Sequence, residues 1–399
     1  MFPVIINIIL VALTVFISNV FLITLFLKWD RIFDDPRTKH YPDVTIAVPA
    51  KNEERNIAKT LQCLLNLKYP KKIRIIVIND GSKDRTLEIA KRFPVEIIDK
   101  KTNSGKARAL NDALKKTKSE IFGFIDAETF IDKNALMHIV GYFNDKKVGA
   151  VTPSIYIHNS ENTIEKIQGV EYAFSMMSKK LLTFLNCLYV TPGCAFYRTD
   201  IVKKVGGFDE KNLTEDLEIA LHISKSGYMI ENSINAKVWT IVPDTVGKLL
   251  RQRIRWYRGT IHNLIKYKSM LGNNDIGIFV MPVMLICGMF VLLAYSFMLG
   301  FSILEFIYNL LTYSFAFVLS DYSITTYSIP FSQNILLTFS VFLFAVFILN
   351  IYFSQKISGV PLVKNFKELL LFLILYSPIL AVALIISLIN IITRSENKW

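Results

Sequence analysis

The chain contains little cysteine, and its cysteines are scattered. The 399 residues include four of them, Cys63, Cys187, Cys194 and Cys287, which form no CxxC pair and have no histidine beside them. Closely paired cysteines are the usual mark of a zinc site or a disulfide framework. We therefore expect four reduced thiols that serve neither purpose.

The sequence also lacks the common phosphate-binding and nucleic-acid signatures. No GxxxxGK[ST] occurs and no GxGxxG follows the first predicted strand, so a P-loop and a Rossmann dinucleotide site lack their defining motifs. The net charge of +13 is accompanied by no nucleic-acid-binding motif. Lysines and arginines beside apolar runs explain the charge better, as on the cytoplasmic side of membrane proteins. We expect no nucleic-acid partner.

The composition indicates two unlike parts. Hydrophobic residues make up 52% of the chain and include 29 phenylalanines, which is too many for an ordinary soluble protein. Charged residues make up 20%, which is too many for a bundle lying wholly in a membrane. The sequence therefore predicts one large polar domain joined to a membrane region.

The apolar runs lie at the two ends of the chain. Residues 4–27 are uncharged and long enough to cross the ~30 Å hydrocarbon layer, and Lys28 and Arg31 follow them. Residues 1–30 are therefore predicted to be an anchor with its N-terminus outside. Residues 276–399 contain clear runs at 276–300, 334–353 and 369–392. The run at 301–320 contains Glu305 and is either a further span or an interfacial segment, so three or four spans are expected.

Residues 40–244 alternate between strand and helix patterns. Strands are predicted at 44–50, 72–80, 94–100 and 120–129, with helices at 52–67, 82–93 and 105–117. This order is typical of an α/β domain with a mostly parallel, doubly wound sheet, which binds ligands at the carboxyl ends of its strands. Further strands are predicted at 149–155 and 190–198, and a further helix from 214 to about 226.

Carboxylates stand at the ends of two predicted strands. Asp80 ends the second strand, and Asp126 and Glu128 lie at the end of the fourth. Such oxygen ligands suit Mg²⁺ or Mn²⁺, which would hold a diphosphate, although either group alone could equally be a helix cap or a solvated turn. Lys106 opens a helix and could meet an anion there. Asp216 opens another helix, where it either stabilises the helix dipole or acts as a general base.

A basic and aromatic stretch, residues 242–259, joins the two parts of the chain. As a helix it places Arg251, Arg255 and Arg258 on one face and Gln252 and Trp256 on the adjacent one. Guanidinium groups suit phosphate oxygens and an indole suits the face of a sugar ring. The alternative is an interfacial helix with its arginines at lipid headgroups. We assign residues 245–275 to amphipathic interfacial helices.

Six of these motifs occur in a recognisable order. They are VPAKNEE at 48–54, NDGS at 79–82, GKARALN at 105–111, DAE at 126–128, TED at 214–216 and QRIRW at 252–256. In this order they resemble the membrane-embedded family 2 glycosyltransferases of the processive type, which include the cellulose, hyaluronan and poly-N-acetylglucosamine synthases. Two departures are the Glu128 that ends a usual Asp-x-Asp motif and the Lys51 that replaces a frequent tyrosine.

The resemblance implies a GT-A fold that binds a UDP-sugar together with Mg²⁺ or Mn²⁺. By motif position, Asp126 and Glu128 would hold the metal, and Asp216 would take the proton from the acceptor hydroxyl. The contacts implied for the donor and the acceptor are Pro49, Glu53, Asp80, Lys106, Asp126, Gln252, Arg255 and Trp256.

The implied activity is an inverting transfer from UDP-N-acetylglucosamine or UDP-glucose that extends a polysaccharide, coupled to its export. The implied location is the cell membrane, as a multi-pass protein with a cytoplasmic catalytic domain, and an accessory subunit is left open as a partner. The alternative is a single transfer to a lipid acceptor such as a polyprenyl phosphate, a diacylglycerol or a sphingoid lipid. A transporter with a sugar-binding domain would leave the TED and QxxRW matches unexplained.

Overall fold

The computed structural model describes residues 2–288, 300, 302–305, 307–308, 331–362 and 366–393. The predicted spans at 276–300 and 301–320 therefore lie partly outside the described residues. The first helices and strands are α1 (Phe2–Leu27), β1 (Val44–Ala50), α2 (Ile57–Leu65), β2 (Arg74–Asp80), α3 (Thr86–Ala90), β3 (Glu96–Lys100), α4 (Lys106–Lys116), β4 (Ile121–Ile125), β5 (Thr129–Ile131) and α5 (Ala135–Val140). They are followed by β6 (Val148–Ile157), α6 (Thr163–Phe184), β7 (Cys194–Arg198), α7 (Thr199–Lys204), α8 (Glu215–Lys225), β8 (Met229–Thr240), α9 (Val246–Lys266), α10 (Phe331–Ser358), α11 (Phe366–Leu371) and α12 (Ser377–Ile392).

Eight strands form one mixed sheet in the order β3-β2-β1-β4-β7-β6-β8-β5. The first four in this order pair in parallel, as do β6 and β8, whereas β7 runs antiparallel to both of its neighbours and β5 runs antiparallel to β8. The prediction of a mostly parallel sheet is confirmed, with β7 and β5 as its antiparallel strands.

The sheet is covered on both faces. β1 is buried along almost its whole length, as its uninterrupted apolar sequence predicts for a central strand. Ile57 and Leu61 of α2 pack on one face together with α5. Leu110 of α4 and Ile219 of α8 pack on the other. This double layer fixes the strand ends from which the site is built.

Several bounds differ from the sequence prediction, and two elements were missed. The helix after β1 begins at Ile57 and not at Asn52, and β7 begins at Cys194 and not at Val190. The second helix begins at Thr86 and not at Ser82, because the Asp84 carboxylate accepts the Thr86 N–H.

The fourth predicted strand is divided into β4 and β5, so residues 126–128 lie outside the strand ladder, between the two strands. The sequence prediction also missed α6 and β8, although Asn162 and Glu165 form a capping box at the start of α6.

The apolar helices pack against the helices that close the sheet. Val341–Ser358 and Phe366–Ile392 are long and apolar enough to cross a membrane, and two shorter apolar helical stretches are Thr14–Leu27, within α1, and Ile276–Ile286. α6 packs on α10, and α9 packs on α12. The Ser387 hydroxyl donates to the carbonyl of Ile254 at 3.1 Å. The α/β domain and the apolar helices therefore share an interface made by α6 and α9.

Candidate active site

Lys106 lies among the carboxylates at the end of the sheet. Its Nζ is 2.6 Å from Oδ1 of Asp126 and 2.9 Å from Oε1 of Glu215. Burial by itself would lower the pKa of Lys106, but Asp126, Glu215 and Asp216 outweigh it and raise that pKa above the ordinary value. The amine therefore stays charged between the end of β4 and the start of α8.

Asp80 shapes the loop that presents Lys106. Its carboxylate accepts hydrogen bonds from the N–H groups of Ser104 and Gly105 and from the Ser104 hydroxyl, at 2.8–2.9 Å. Gly105 has φ +90°, a conformation that favours glycine, and α4 begins at the next residue. The structure therefore places Asp80 behind Lys106, where it determines the path of the backbone.

Pro49 and Glu53 lie at and just beyond the carboxyl end of β1, outside the lining of the central cavity described below. The Glu53 N–H donates to the Thr86 hydroxyl at 2.7 Å, and its carboxylate accepts from the Asn56 amide at 2.8 Å. Burial, and to a lesser extent the charge of Asp126, raises the pKa of Glu53. The negative charge of Asp126 therefore acts on Glu53, although Glu53 does not contact Lys106.

Asp216 stands at the start of α8. Its Oδ1 accepts the Leu217 N–H at 2.8 Å, and its backbone carbonyl accepts the Thr191 hydroxyl at 2.8 Å. Burial, followed by the charge of Glu215, raises the pKa of Asp216 to about 6. Burial would also raise the pKa of Glu215, but its ion pair with Lys106 lowers it. Asp216 is thus the carboxylate suited to accept a proton near neutral pH.

α9 is a helix, as predicted, and begins with the Thr245 side chain accepting the Lys248 N–H. Gln252, Arg255 and Trp256 line the cavity. The buried arginine of this helix is Arg253, which the sequence prediction did not assign to either face.

Arg253 is held from both sides. Its Nη2 is 2.7 Å from Oε2 of Glu171, and its guanidinium carbon lies 3.9 Å from the ring centroid of Trp256. The Tyr376 hydroxyl, from the segment between α11 and α12, donates to the same oxygen of Glu171. A cation over an indole face is attracted by the ring quadrupole. The indole of Trp256 is therefore held in place by Arg253, whose partner Glu171 of α6 is in turn held by Tyr376.

A cavity of about 350 Å³ brings these groups together. One part of its lining, which we call the strand-end wall, consists of Lys106, Asp126, Glu128 and Glu215. A second part, the helical wall, consists of Glu171, Tyr172, Ser175 and Lys179 of α6 and Gln252, Arg255 and Trp256 of α9. Asp216 also lines the cavity and interacts electrostatically with Lys106 and with Lys179.

The four residues that α6 contributes to the helical wall were missed by the sequence prediction. Glu171, Ser175 and Lys179 are spaced by four residues, so they share one face of a helix. Together with the capping box that begins α6, this spacing is the signal that could have found them.

Asp126 and Glu128 fit a divalent cation. Burial, followed by the charges of Glu53 and Asp126, raises the pKa of Glu128 to about 7, and a cation would relieve this crowding. The described ranges contain no group of three or more His, Cys, Asp or Glu side chains placed to hold a metal. Mg²⁺ is commonly held by one or two carboxylates together with substrate phosphates. The pair therefore suits a cation that binds along with a diphosphate.

A mixed α/β sheet with carboxylates at its strand ends and a basic aromatic helix beside the cavity defines a GT-A glycosyltransferase. The Glycosyl transferase family 2 profile matches residues 45–206. A poly-beta-1,6-N-acetyl-D-glucosamine synthase of Staphylococcus epidermidis is 30% identical over 294 residues, which cover 71% of each chain. The chain therefore belongs to glycosyl transferase family 2, and it is a glycosyltransferase.

Two further comparisons extend this result. The poly-beta-1,6-N-acetyl-D-glucosamine synthase of Staphylococcus aureus (strain COL) is 34% identical over 224 residues, so the match spans about half of each chain, 54%. The mannosyltransferase PcManGT of Pyrobaculum calidifontis, solved in complex with GDP-Man and Mn²⁺, has a TM-score of 0.60, with 97% of this chain and 100% of that one covered. At 17% identity this second likeness demonstrates the fold.

Proposed function

We propose that this enzyme extends a polysaccharide by inverting transfer of a sugar from a UDP-sugar, with UDP-N-acetylglucosamine as the leading donor. The observation that carries the proposal is the single cavity in which Asp216, the strand-end carboxylates and the Gln252, Arg255 and Trp256 side chains meet. The names of the staphylococcal relatives support the choice of N-acetylglucosamine.

Asp216 is the general base in this proposal. The acceptor hydroxyl attacks C1 of the sugar from the side opposite the diphosphate, and Asp216 takes the hydroxyl proton as the new bond forms. General-base catalysis of this kind typically contributes about 10²- to 10⁴-fold to the rate. Because the acceptor is itself the nucleophile, one carboxylate is sufficient for the transfer.

The strand-end wall receives the charge that leaves with the diphosphate. Lys106 is held charged there, and Arg255 lines the same cavity. Asp126 and Glu128 would hold Mg²⁺ or Mn²⁺, which when bound neutralises the developing charge on the phosphate oxygens. Pro49, Glu53 and Asp80 are assigned to the nucleoside side of the donor, where Asp80 would act through the loop that it holds.

The membrane region serves the acceptor in this proposal. α6 and α9 line the cavity and also pack against α10 and α12, so the growing end of a chain at Trp256 lies next to the apolar helices. We propose a multi-pass protein of the cell membrane with a cytoplasmic catalytic domain, in which the product leaves between the helices. An accessory subunit that completes the export path is a further partner in this proposal.

A second candidate is single transfer to a lipid acceptor, and the position of the cavity beside the apolar helices favours it. α6 and α9 line the cavity and pack against α10 and α12, so a lipid lying along these helices would bring its polar end toward Asp216. The small apolar pocket next to the cavity has a volume of only about 10 Å³ and is too small for a lipid chain.

The experiment is UDP release by the purified protein in nanodiscs, with a panel of UDP-sugars and either Mn²⁺ or Mg²⁺, followed by sizing of the product. The proposal predicts metal-dependent turnover with one preferred donor and a long polymer. A product carrying one sugar on a lipid would support the second candidate instead. No turnover with any donor, when oligosaccharide and lipid acceptors are supplied to folded protein, would contradict both.

A further inference from the structure

The helical wall contains a lysine that the reaction described above does not use. Lys179 lies two helical turns after Glu171 and one turn after Ser175, so all three face the cavity from α6. Tyr172 lines it from the neighbouring position on the helix. An amine on this wall is close to where an acceptor must lie.

The lysines of the two walls differ in their partners. Lys106 of the strand-end wall forms ion pairs with Asp126 and Glu215. The side-chain amine of Lys179 has no hydrogen bond, and no carboxylate within 4.0 Å, among the residues that the structure describes. Burial lowers the pKa of Lys179 to about 8, although the charges of Glu171 and Asp216 act in the opposite direction. A lysine amine has three N–H donors, and burying them without hydrogen-bond partners costs free energy.

Glu171, the carboxylate on the same face of α6, is already engaged. Its Oε2 accepts hydrogen bonds from Arg253 and from the Tyr376 hydroxyl. A second carboxylate whose charge acts on Lys179 is that of Asp216, at the start of α8. Asp216 therefore interacts with Lys106 of one wall and with Lys179 of the other.

We propose that Lys179 is an acceptor-binding residue, which donates hydrogen bonds to oxygen atoms of the terminal sugar and so places its nucleophilic hydroxyl at Asp216. The inference rests on the proposed function, because it takes the acceptor to be a sugar chain. The donor's diphosphate has its own cationic partners at Lys106 and Arg255, so removal of Lys179 should affect the acceptor and spare the nucleotide.

The test compares Lys179→Met, which keeps the apolar stem and loses the charge and the donors, with Lys179→Arg, which keeps the charge and supplies donors. The probes are UDP-N-acetylglucosamine and a tetrasaccharide of β-1,6-linked N-acetylglucosamine. We expect Lys179→Met to raise KM for the tetrasaccharide about 10- to 100-fold, the range for a lost hydrogen bond from a charged donor. UDP affinity should stay unchanged, and Lys179→Arg should recover part of the loss. Lys166→Met, at an exposed position of the same helix, is the matched control.

Each outcome decides the inference. An unchanged KM for the tetrasaccharide in Lys179→Met, or an equal loss of UDP affinity, would overturn it while leaving the proposed function in place. Failure of the wild type to transfer to the tetrasaccharide would overturn the proposed function, and the inference with it. If Lys179→Met does not fold, reductive methylation of Lys179 in the wild type, read by peptide mass spectrometry, decides the matter. Saturating tetrasaccharide should slow this methylation, and equal rates with and without it would count against acceptor binding.

Discussion

The two walls of the cavity differ in whether their charged groups have partners within the protein. In the strand-end wall, charges satisfy one another, since Lys106 bridges Asp126 and Glu215 and Asp80 holds the loop that precedes it. In the helical wall, the amine of Lys179 lines the cavity without a hydrogen-bond or ion-pair partner among the described residues. A preorganised charged wall suits a diphosphate whose chemistry is constant. A wall with free donors suits a sugar that brings its own hydroxyl groups.

Turnover should depend on the divalent cation that we propose at the strand-end wall. Chelation with EDTA should lower turnover by at least about 10²-fold, because the charge on the departing diphosphate loses its main partner. Glu128→Gln should raise the Mn²⁺ concentration needed for half-maximal rate by about 10-fold or more. Glu88→Gln, at an exposed ion pair on α3, should match the wild type. An unchanged Mn²⁺ requirement in Glu128→Gln would remove Glu128 from the metal site.

Asp216, which faces both walls, should make the reaction sensitive to pH. A general base acts only when deprotonated, and the pKa of Asp216 is raised to about 6. At saturating Mn²⁺, kcat/KM should be level above about pH 7 and should fall about tenfold per pH unit well below pH 6. The measurement is a pH profile of UDP release, with melting temperatures recorded at each pH to exclude unfolding. A level profile down to about pH 5 would contradict the assignment.

α9 packs closely at Gly259 against the residue that precedes α8, and a larger side chain there should disturb this contact. A β-carbon there would overlap the Thr214 side chain, which directly precedes α8. Gly259→Ala should therefore destabilise the protein by about 1–3 kcal/mol, the usual cost of overpacking, and should lower kcat. Gly247→Ala lies on the same helix at an exposed position with its nearest neighbour 3.9 Å away, so it should leave both unchanged or slightly raise stability. The check is the melting temperature in detergent, and equal values for the two variants would contradict this packing.

The smallest effect is expected where the helical wall meets the apolar helices. Tyr376→Phe removes the hydroxyl that donates to Glu171, while the ion pair of Glu171 with Arg253 remains. We expect kcat/KM for the acceptor to fall about threefold to tenfold, in the range of one hydrogen bond to a charged group. Donor affinity should not change. Tyr352→Phe, at an exposed ring of α10, is the matched control, and an equal effect in both variants would show that Glu171 does not need the hydroxyl.

The residues of the strand-end wall could be predicted from the sequence because each of them lies in a short motif. β1 has the bounds that its apolar run predicts. Asp126 and Glu128, predicted at the end of the fourth strand, lie just after β4 in the structure. Motif order then indicated Asp216 and the QxxRW residues, which the cavity brings together.

The helical wall could not be predicted in the same way, because its partners are distant in sequence. A helical pattern in 242–259 does not reveal which arginine is buried, since Arg253 is selected by Glu171, 82 residues away. The acidic partners of Lys106 depend in the same way on the meeting of α4, β4 and α8. α6 itself was missed because its apolar residues face the sheet and the apolar helices, and no single amphipathic stripe marks it.

The measurement that tests the account most directly is the turnover of Asp216→Asn against its UDP affinity. The substitution keeps the size of the side chain and removes the base, so transfer from UDP-N-acetylglucosamine should fall by about 10²- to 10⁴-fold. UDP affinity should stay within a factor of a few of the wild-type value, and the melting temperature should not change. The same is expected of the exposed control Asp200→Asn. Full transfer by Asp216→Asn would contradict the assignment of the cavity as the catalytic site.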